Sequence, residues 1–288
     1  MCRVLGVARS GFYAWSTRAP SARALADAAL LVEIRKSWTD SKKTYGSRRV
    51  RADLGHQGID VGRGRVERLM RIDGISGEAP RKRRRTTIRV EGVRPAPDLV
   101  GRDFDPPAPN LLWCADITYL PSWQGWLYLA AVMDCFSRRI VGWSMADHMR
   151  AELVVDALEM AVARRRPAPG LIHHSDQGSQ YVALTFGHAA GDAGIDVSMG
   201  SVGDCYDNAV SESFFATLKK DLINRRSWPT KAELRGEVFS YVEEFYNPVR
   251  LHSRLGYLSP MVFEEQALTV AGEQGERLRR PPAMAGGR

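Results

Sequence analysis

The sequence predicts an α/β protein, a mixed five-stranded sheet with helices, preceded by a small all-α basic region. Two observations carry this expectation. From Leu111 onward, three apolar runs rich in β-branched and aromatic residues precede one helical stretch, after which strands alternate with helices. The charge is also divided: residues 1–100 hold 22 Lys and Arg against 10 Asp and Glu, and the remainder hold 19 against 23. Contact with a polyanion is therefore expected in the N-terminal part, and a site that holds cations in the acidic part.

The elements follow in order. Residues 1–20 read as a partial helix-turn-helix entered halfway, with Cys2 to Trp15 supplying its apolar positions. In residues 21–78, a helix begins at a Ser21 cap after Pro20 and places Leu25, Ala28 or Ala29, Val32 and Lys36 at helical spacing. Two short helices then follow, around Tyr45–Leu54 and Gly62–Ile72. On the last of these, Arg63, Arg65, Arg68 and Arg71 alternate with Val66, Leu69 and Met70, so the apolar residues are expected inward and the arginines outward. Such a helix fits a DNA major groove. Residues 79–109 form a linker, basic at Arg81, Lys82, Arg83, Arg84 and Arg85 and then rich in proline.

Residues 110–227 are the expected α/β core. Strands are expected over 111–120, 125–133, 139–145, 170–174 and 195–199, with a helix over 152–166. A further helix starts at an Asp207 or Asn208 cap and carries an apolar stripe at Phe214, Phe215, Leu218 and Leu222. Residues 228–266 are a helical extension in which Thr230 caps a helix ended by Tyr246-Asn247-Pro248, and 267–288 are expected to be a disordered tail.

Composition narrows the function classes. No apolar run approaches the ~20 residues that span a bilayer, and Arg3, Arg9 and Arg18 stand where a secretory leader would be apolar. The four cysteines are few and isolated in sequence, which suits a reducing cytoplasm. The expected location is cytoplasmic and nucleoid-associated.

Three acids stand in informative contexts. Asp116 lies inside an apolar strand, where a carboxylate is costly unless paired or bound to metal. Asp176 follows a short strand and opens a turn, at the strand end where α/β sites collect. Glu212 sits on the capped helix, away from much of its apolar stripe and on one face with Ala216 and Lys219. Oxygen ligands on separate elements suit Mg²⁺ or Mn²⁺. Asp134 is a rival acid, with capping a turn or pairing with an arginine as its expected role. Neither His173 and His174 nor the cysteines match a structural zinc spacing. His174 serves either as a hydrogen-bonding group near Asp176 or as a satisfied strand residue.

The words His174-Ser175-Asp176-x-Gly178-Ser179-Gln180-Tyr181 and Asp207-Asn208-Ala209-x-x-Glu212-Ser213-Phe214-Phe215, with 35 residues between Asp176 and Glu212, resemble a DDE transposase. More narrowly, the chain resembles the B-frame protein of IS3-family insertion sequences, which has a retroviral-integrase-like catalytic core. Tyr246-Asn247-x-x-Arg250-x-His252-Ser253-x-Leu255-Gly256 is similar to that family's closing word.

The resemblance implies an RNase H-like fold, with Asp116 on the first strand, Asp176 after the fourth and Glu212 on a helix against the sheet. It implies catalysis by these three acids with two Mg²⁺ or Mn²⁺ ions, Asp116 shared between them, in cleavage and strand transfer at element ends. It implies double-stranded DNA as partner, a homo-oligomer that joins two ends, and an A-frame protein met as partner or by frameshift fusion. Asn208 either caps its helix or orients Glu212; Lys219 and Lys220 are candidate phosphate contacts, with a solvated charge as the alternative for Lys219. Arg250 and His252 either touch DNA or brace the core, and Arg250 is carried as a candidate DNA contact. Gly64 departs from the family, which commonly has a basic residue there.

Three rival readings remain at this level: an RNase H-like nuclease that cannot join strands, a DNA-binding relic without catalysis, and, more distantly, an RNA-binding structural protein.

Overall fold

The computed structural model describes residues 2–78, 96–176, 178, 180, 181, 183–200 and 209–279, with side chains as far as 270 and none for Ala209. The basic run Arg81–Arg85 and Asn208 lie outside these residues. The chain divides into two compact units, Met1–Glu78 and Ala79–Arg288.

The first unit is all α: α1 (Arg9–Ser16), α2 (Ala22–Asp40), α3 (Ser47–His56) and α4 (Arg63–Ile72). The Ser21 hydroxyl caps α2 by accepting from the Ala24 amide at 3.2 Å, as expected. The buried side of α2 is not the expected one. Leu30, Ile34 and Ser37 face the core, whereas Leu25 and Val32 are exposed. Apolar residues surround this helix on several sides, and contact with α3 and α4 selects the face that is buried. Val66, Leu69 and Met70 on α4 do pack inward. No residue of α1 is buried, and Val4, Leu5, Tyr13 and Trp15 are exposed.

The second unit is built on one five-stranded sheet, β1 (Leu112–Ser122), β2 (Gly125–Asp134), β3 (Ile140–Ala146), β4 (Leu171–Ser175) and β5 (Ile195–Met199), in the order β3-β2-β1-β4-β5. The first three strands are an antiparallel meander, and β4 and β5 run parallel to β1. That is the RNase H-like arrangement. Helix α5 (Ala151–Arg165) buries Leu153, Val154, Ala157, Leu158 and Ala161 against the sheet. Its approach to β3 requires glycine at 142, where a Cβ would stand 2.2 Å from the Ala157 carbonyl oxygen.

Helix α6 (Leu184–Asp192) connects β4 to β5, and α7 (Ala209–Asp221) packs against β1. Phe214, Phe215 and Leu218 are the buried stripe of α7, with Phe214 edge-on to Tyr246 at 4.9 Å. Helix α8 (Lys231–Ser240) is capped by Thr230, whose hydroxyl accepts from the Glu233 amide, and continues as a π-turn over Tyr241–Tyr246.

The tail departs from expectation. Helix α9 (Pro260–Arg279) runs through the first part of the segment expected to be disordered. It is held where Phe263 meets Phe136 at 5.2 Å and where buried Glu264 pairs with Arg165. The cysteines depart as well. Cys114 on β1 and Cys135 just after β2 are far apart in sequence but bring their sulfurs to 2.9 Å as buried free thiols.

Candidate active site

The strand register sets the first two carboxylates side by side. In the parallel pairing of β1 and β4, Leu112 stands opposite Ile172 and Cys114 opposite His174. Two more steps at the same offset bring Asp116 level with Asp176, one residue past the end of β4. The β1–β4 pairing itself ends at Cys114 and His174, and α7 packs against β1. Glu212, in the first turn of α7, is exposed, as expected from its position off the apolar stripe.

Asp176 and Glu212 both lie within electrostatic reach of Asp116. Burial, followed by the charges of Asp176 and Glu212, pushes the Asp116 carboxyl up to about 8, against the opposing effects of the Ile117 amide and Lys219. The Ile117 amide donates to Asp116 Oδ1 at 2.7 Å, and the Gly178 amide donates to Asp176 Oδ1 at 3.1 Å. Asp176 is also raised, chiefly by burial. A site whose carboxylates are desolvated and repel one another favours a bound cation.

Among the described residues no three His, Cys, Asp or Glu side chains form a metal cluster by themselves. Mg²⁺ does not demand one, because it is usually held by one or two carboxylates with substrate phosphates completing the shell. The oxygen-only donor set therefore fits a divalent cation shared with a nucleic-acid phosphate.

The remaining site candidates separate clearly. Lys219 on α7 places its ammonium 4.8 Å over the Tyr119 ring, and its charge reaches Asp116. Lys220 stands 3.2 Å from Asp221 Oδ1. His174 is a buried strand residue whose Nδ1 lies 2.9 Å from Ser198 Oγ, tying β4 to β5. Asp134 accepts from the amides of Asn110 and Phe136 and faces Arg165, which is the turn-capping role expected of it.

Arg250 is a correction to its reading as a DNA contact. It is 2 % exposed, donates to Asp221 Oδ2 at 2.8 Å, and faces the Tyr246 ring. It braces the core because a guanidinium sealed from solvent needs a buried carboxylate.

In the first unit, Arg63, Arg65, Arg68 and Arg71 all project from α4. Arg65 and Arg68 both reach Asp27 on α2, at 2.7 and 2.6 Å. With Arg23, Ala26 and Gly64 they line an open surface groove.

Two features escaped the sequence. Tyr181 is 3 % exposed, its hydroxyl has no hydrogen-bond partner among the described residues, and after burial the charges of Asp116 and Asp176 raise its pKa further. Its place in the motif was visible, but its nearness to both acids was not. Tyr119 and Trp126 form an exposed pair with ring centroids 5.0 Å apart. The outward position of Tyr119 on the Asp116 strand was the available signal.

Residues 106–205 and 193–260 each match a model described as integrase core domain, and residues 24–85 match an HTH-like domain. Over 266 residues the chain is 42% identical to the insertion element IS600 uncharacterized 31 kDa protein of Shigella sonnei, covering 92% of this chain and 98% of that protein. It is 39% identical over 274 residues to transposase InsF for insertion sequence IS3A of Escherichia coli (strain K12), covering 93% and 94%. The chain belongs to the IS3 family of insertion-sequence transposases. A transposase for insertion sequence element IS629 of Shigella sonnei is 40% identical over 270 residues, covering 92% of this chain and 90% of that protein. As an IS3-family transposase the chain acts in DNA transposition, with the HTH-like match beginning in its first unit and the integrase core in its second. Among the described residues, no helix is long and apolar enough to cross a membrane.

Proposed function

We propose that this transposase carries out metal-dependent cleavage and strand transfer at the ends of its own element, with Asp116, Asp176 and Glu212 as the catalytic, metal-holding carboxylates. The observation that supports this most directly is the β1–β4 register, which, carried two residues past its last pair, sets Asp176 level with Asp116 on a strand that α7 packs against. Two Mg²⁺ or Mn²⁺ ions held by these acids and by substrate phosphate would activate the attacking oxygen and stabilise the leaving one.

The chain's own residues supply the rest. The buried side of β1 keeps water from behind Asp116, and Lys219 brings a positive charge beside it that suits a substrate phosphate. The Asp221–Arg250 pair fixes the far end of α7, and so the helix that carries Glu212.

DNA would be gripped by Arg63, Arg65 and Arg68 on α4 and by the basic run Arg81, Lys82, Arg83, Arg84 and Arg85, with Lys220 as a further contact. A cytoplasmic, nucleoid-associated location follows from that substrate. Two ends must be joined, so a homo-oligomer is the working form. The exposed Val4, Leu5, Tyr13 and Trp15 suit coverage by an A-frame protein, met as partner or fused by frameshifting.

The test is incubation of the full chain with duplex carrying the element's end and Mg²⁺. Strand-transfer products joined to target DNA support the reading. Cutting of flaps and junctions without any joining overturns it in favour of a nuclease.

A further inference from the structure

One aromatic pair beside the site has no place in the mechanism above. The β1–β2 hairpin exposes Tyr119 at 49 % and Trp126 at 50 %, their rings edge-to-face at 5.0 Å and 79°, with Lys219 4.8 Å over the Tyr119 ring. Exposed aromatic rings on a strand keep an unfavourable hydration shell that is released only when something covers them. The pair is also held firmly. The Trp123 amide at the hairpin tip donates to the Trp228 carbonyl at 2.9 Å, the Lys231 amide donates to Gln124 Oε1 at 2.9 Å, and the Ser122 hydroxyl donates to the Gly125 carbonyl at 2.7 Å.

Position decides the occupant. Tyr119 lies three residues past Asp116 on β1, so strand alternation turns the two side chains to opposite faces, and Lys219, over the Tyr119 ring and within charge reach of Asp116, links them. A strand whose phosphates lie at the carboxylates and at Lys219 reaches this surface within a few nucleotides. Lys219 adds a cation to the aromatic pair, which complements a phosphate and disfavours a purely apolar protein partner. Aromatic rings receive a base only when its face is free, and a base within duplex has both faces covered.

We infer that Tyr119, Trp126 and Lys219 form a stacking platform that receives an unpaired nucleobase, with its phosphate, from the DNA strand held at the carboxylates. This rests on the proposed function of the site, and the platform would stabilise DNA ends opened next to the reacting phosphate. Base–aromatic stacking is sequence-tolerant and is lost on replacement by alanine with an effect of roughly tenfold in affinity.

The experiment needs no metal. The full chain is titrated against two duplexes of one sequence, one fully paired and one with the terminal bases left unpaired, with 2-aminopurine at an unpaired position. The platform predicts tighter binding of the opened duplex and quenching of the 2-aminopurine. Trp126→Ala should remove roughly tenfold of that preference and most of the quenching, Trp126→Phe should retain both, and binding of the paired duplex should stay unchanged. Trp123→Ala, at the 76 % exposed hairpin tip but outside the pair, should change neither.

Equal affinity of the unaltered chain for both duplexes overturns the inference, as does an equal effect of Trp123→Ala. A Trp126→Ala variant that keeps the preference but sediments as a smaller species also overturns it, and makes the patch an interface between copies. Failure of the catalytic reading shows separately, as strand cleavage that is indifferent to Asp176→Asn.

Discussion

Asp221, the last residue of α7, and Arg250, beyond the π-turn, meet at 2.8 Å with both side chains sealed from solvent, and the Tyr241 hydroxyl donates to the same carboxylate oxygen at 3.2 Å. The pair joins the helix that carries Glu212 to the C-terminal extension. Removing Arg250 leaves the buried Asp221 carboxylate with the part-exposed Lys220 as its remaining counter-charge, and removing Asp221 leaves the buried guanidinium without its carboxylate. Arg250→Met is expected to lower unfolding free energy by about 3–5 kcal/mol, and Arg250→Met with Asp221→Leu to recover much of that loss. Urea denaturation of the variants measures this. A variant as stable as the parent but weaker on DNA would restore Arg250 as a DNA contact.

His173 gives an acid-side prediction. Its ring is buried against Tyr181 and Phe186, neither ring nitrogen has a partner among the described residues, and burial pushes its pKa down to about 4 from an ordinary 6.5. Between those values the unfolded chain binds a proton that the folded chain refuses, so stability falls as pH drops from 6.5 towards 4. The full span corresponds to about 3 kcal/mol. His173→Phe should flatten the stability profile across that window. An unchanged slope would contradict the account.

Asp116 behaves in the opposite sense. Its carboxyl is raised to about 8 from 3.8, so between these values the folded chain holds a proton that the unfolded chain releases, and stability falls as pH rises. Asp116 retains some solvent exposure, so the realised penalty at pH 8 is taken as about 2 kcal/mol, below the full span. Asp116→Asn should raise the melting temperature more at pH 8 than at pH 5. Added Mg²⁺ should stabilise the parent chain at pH 8 and leave this variant unmoved. Equal stabilisation of both would place the cation elsewhere.

How far the sequence revealed this architecture differed between elements. The five strands were legible because β-branched and aromatic runs were bounded by turn residues, and β1 to β3 differ from expectation by two residues or fewer at either end. Asp116 and Asp176 were visible as acids in costly or turn-forming places, although only the strand register, carried two residues past its last pair, sets them level. The buried side of α2 was not legible, because apolar residues lie on more than one face and the choice belongs to α3 and α4. Helix α6 was expected only as part of the strand–helix alternation and without bounds, because Gly187 and Gly191 weaken its helical signal. Arg250 was misplaced because a sequence shows a charge but not the carboxylate that buries it.

Gly64 offers a test in the first unit. It lies in the first turn of α4, and a Cβ there would meet nothing within 4 Å. Gly64→Ala should stabilise the chain by about 0.5–1 kcal/mol through the lower backbone entropy of the unfolded state. Gly64→Arg should add DNA affinity that weakens with salt. Thermal melting and a salt titration of DNA binding check the two effects. A destabilised alanine variant would mean that α4 needs glycine for a reason not visible in its surroundings.

The central claim is that Asp116, Asp176 and Glu212 form a metal-dependent site for cutting DNA. Nicking of supercoiled DNA by the full chain with Mg²⁺ or Mn²⁺, beside an Asp176→Asn variant matched in DNA binding, tests it most directly. The account predicts nicking that requires the metal and is lost in the variant. Nicking that persists in Asp176→Asn, or that proceeds equally without a divalent cation, would contradict it.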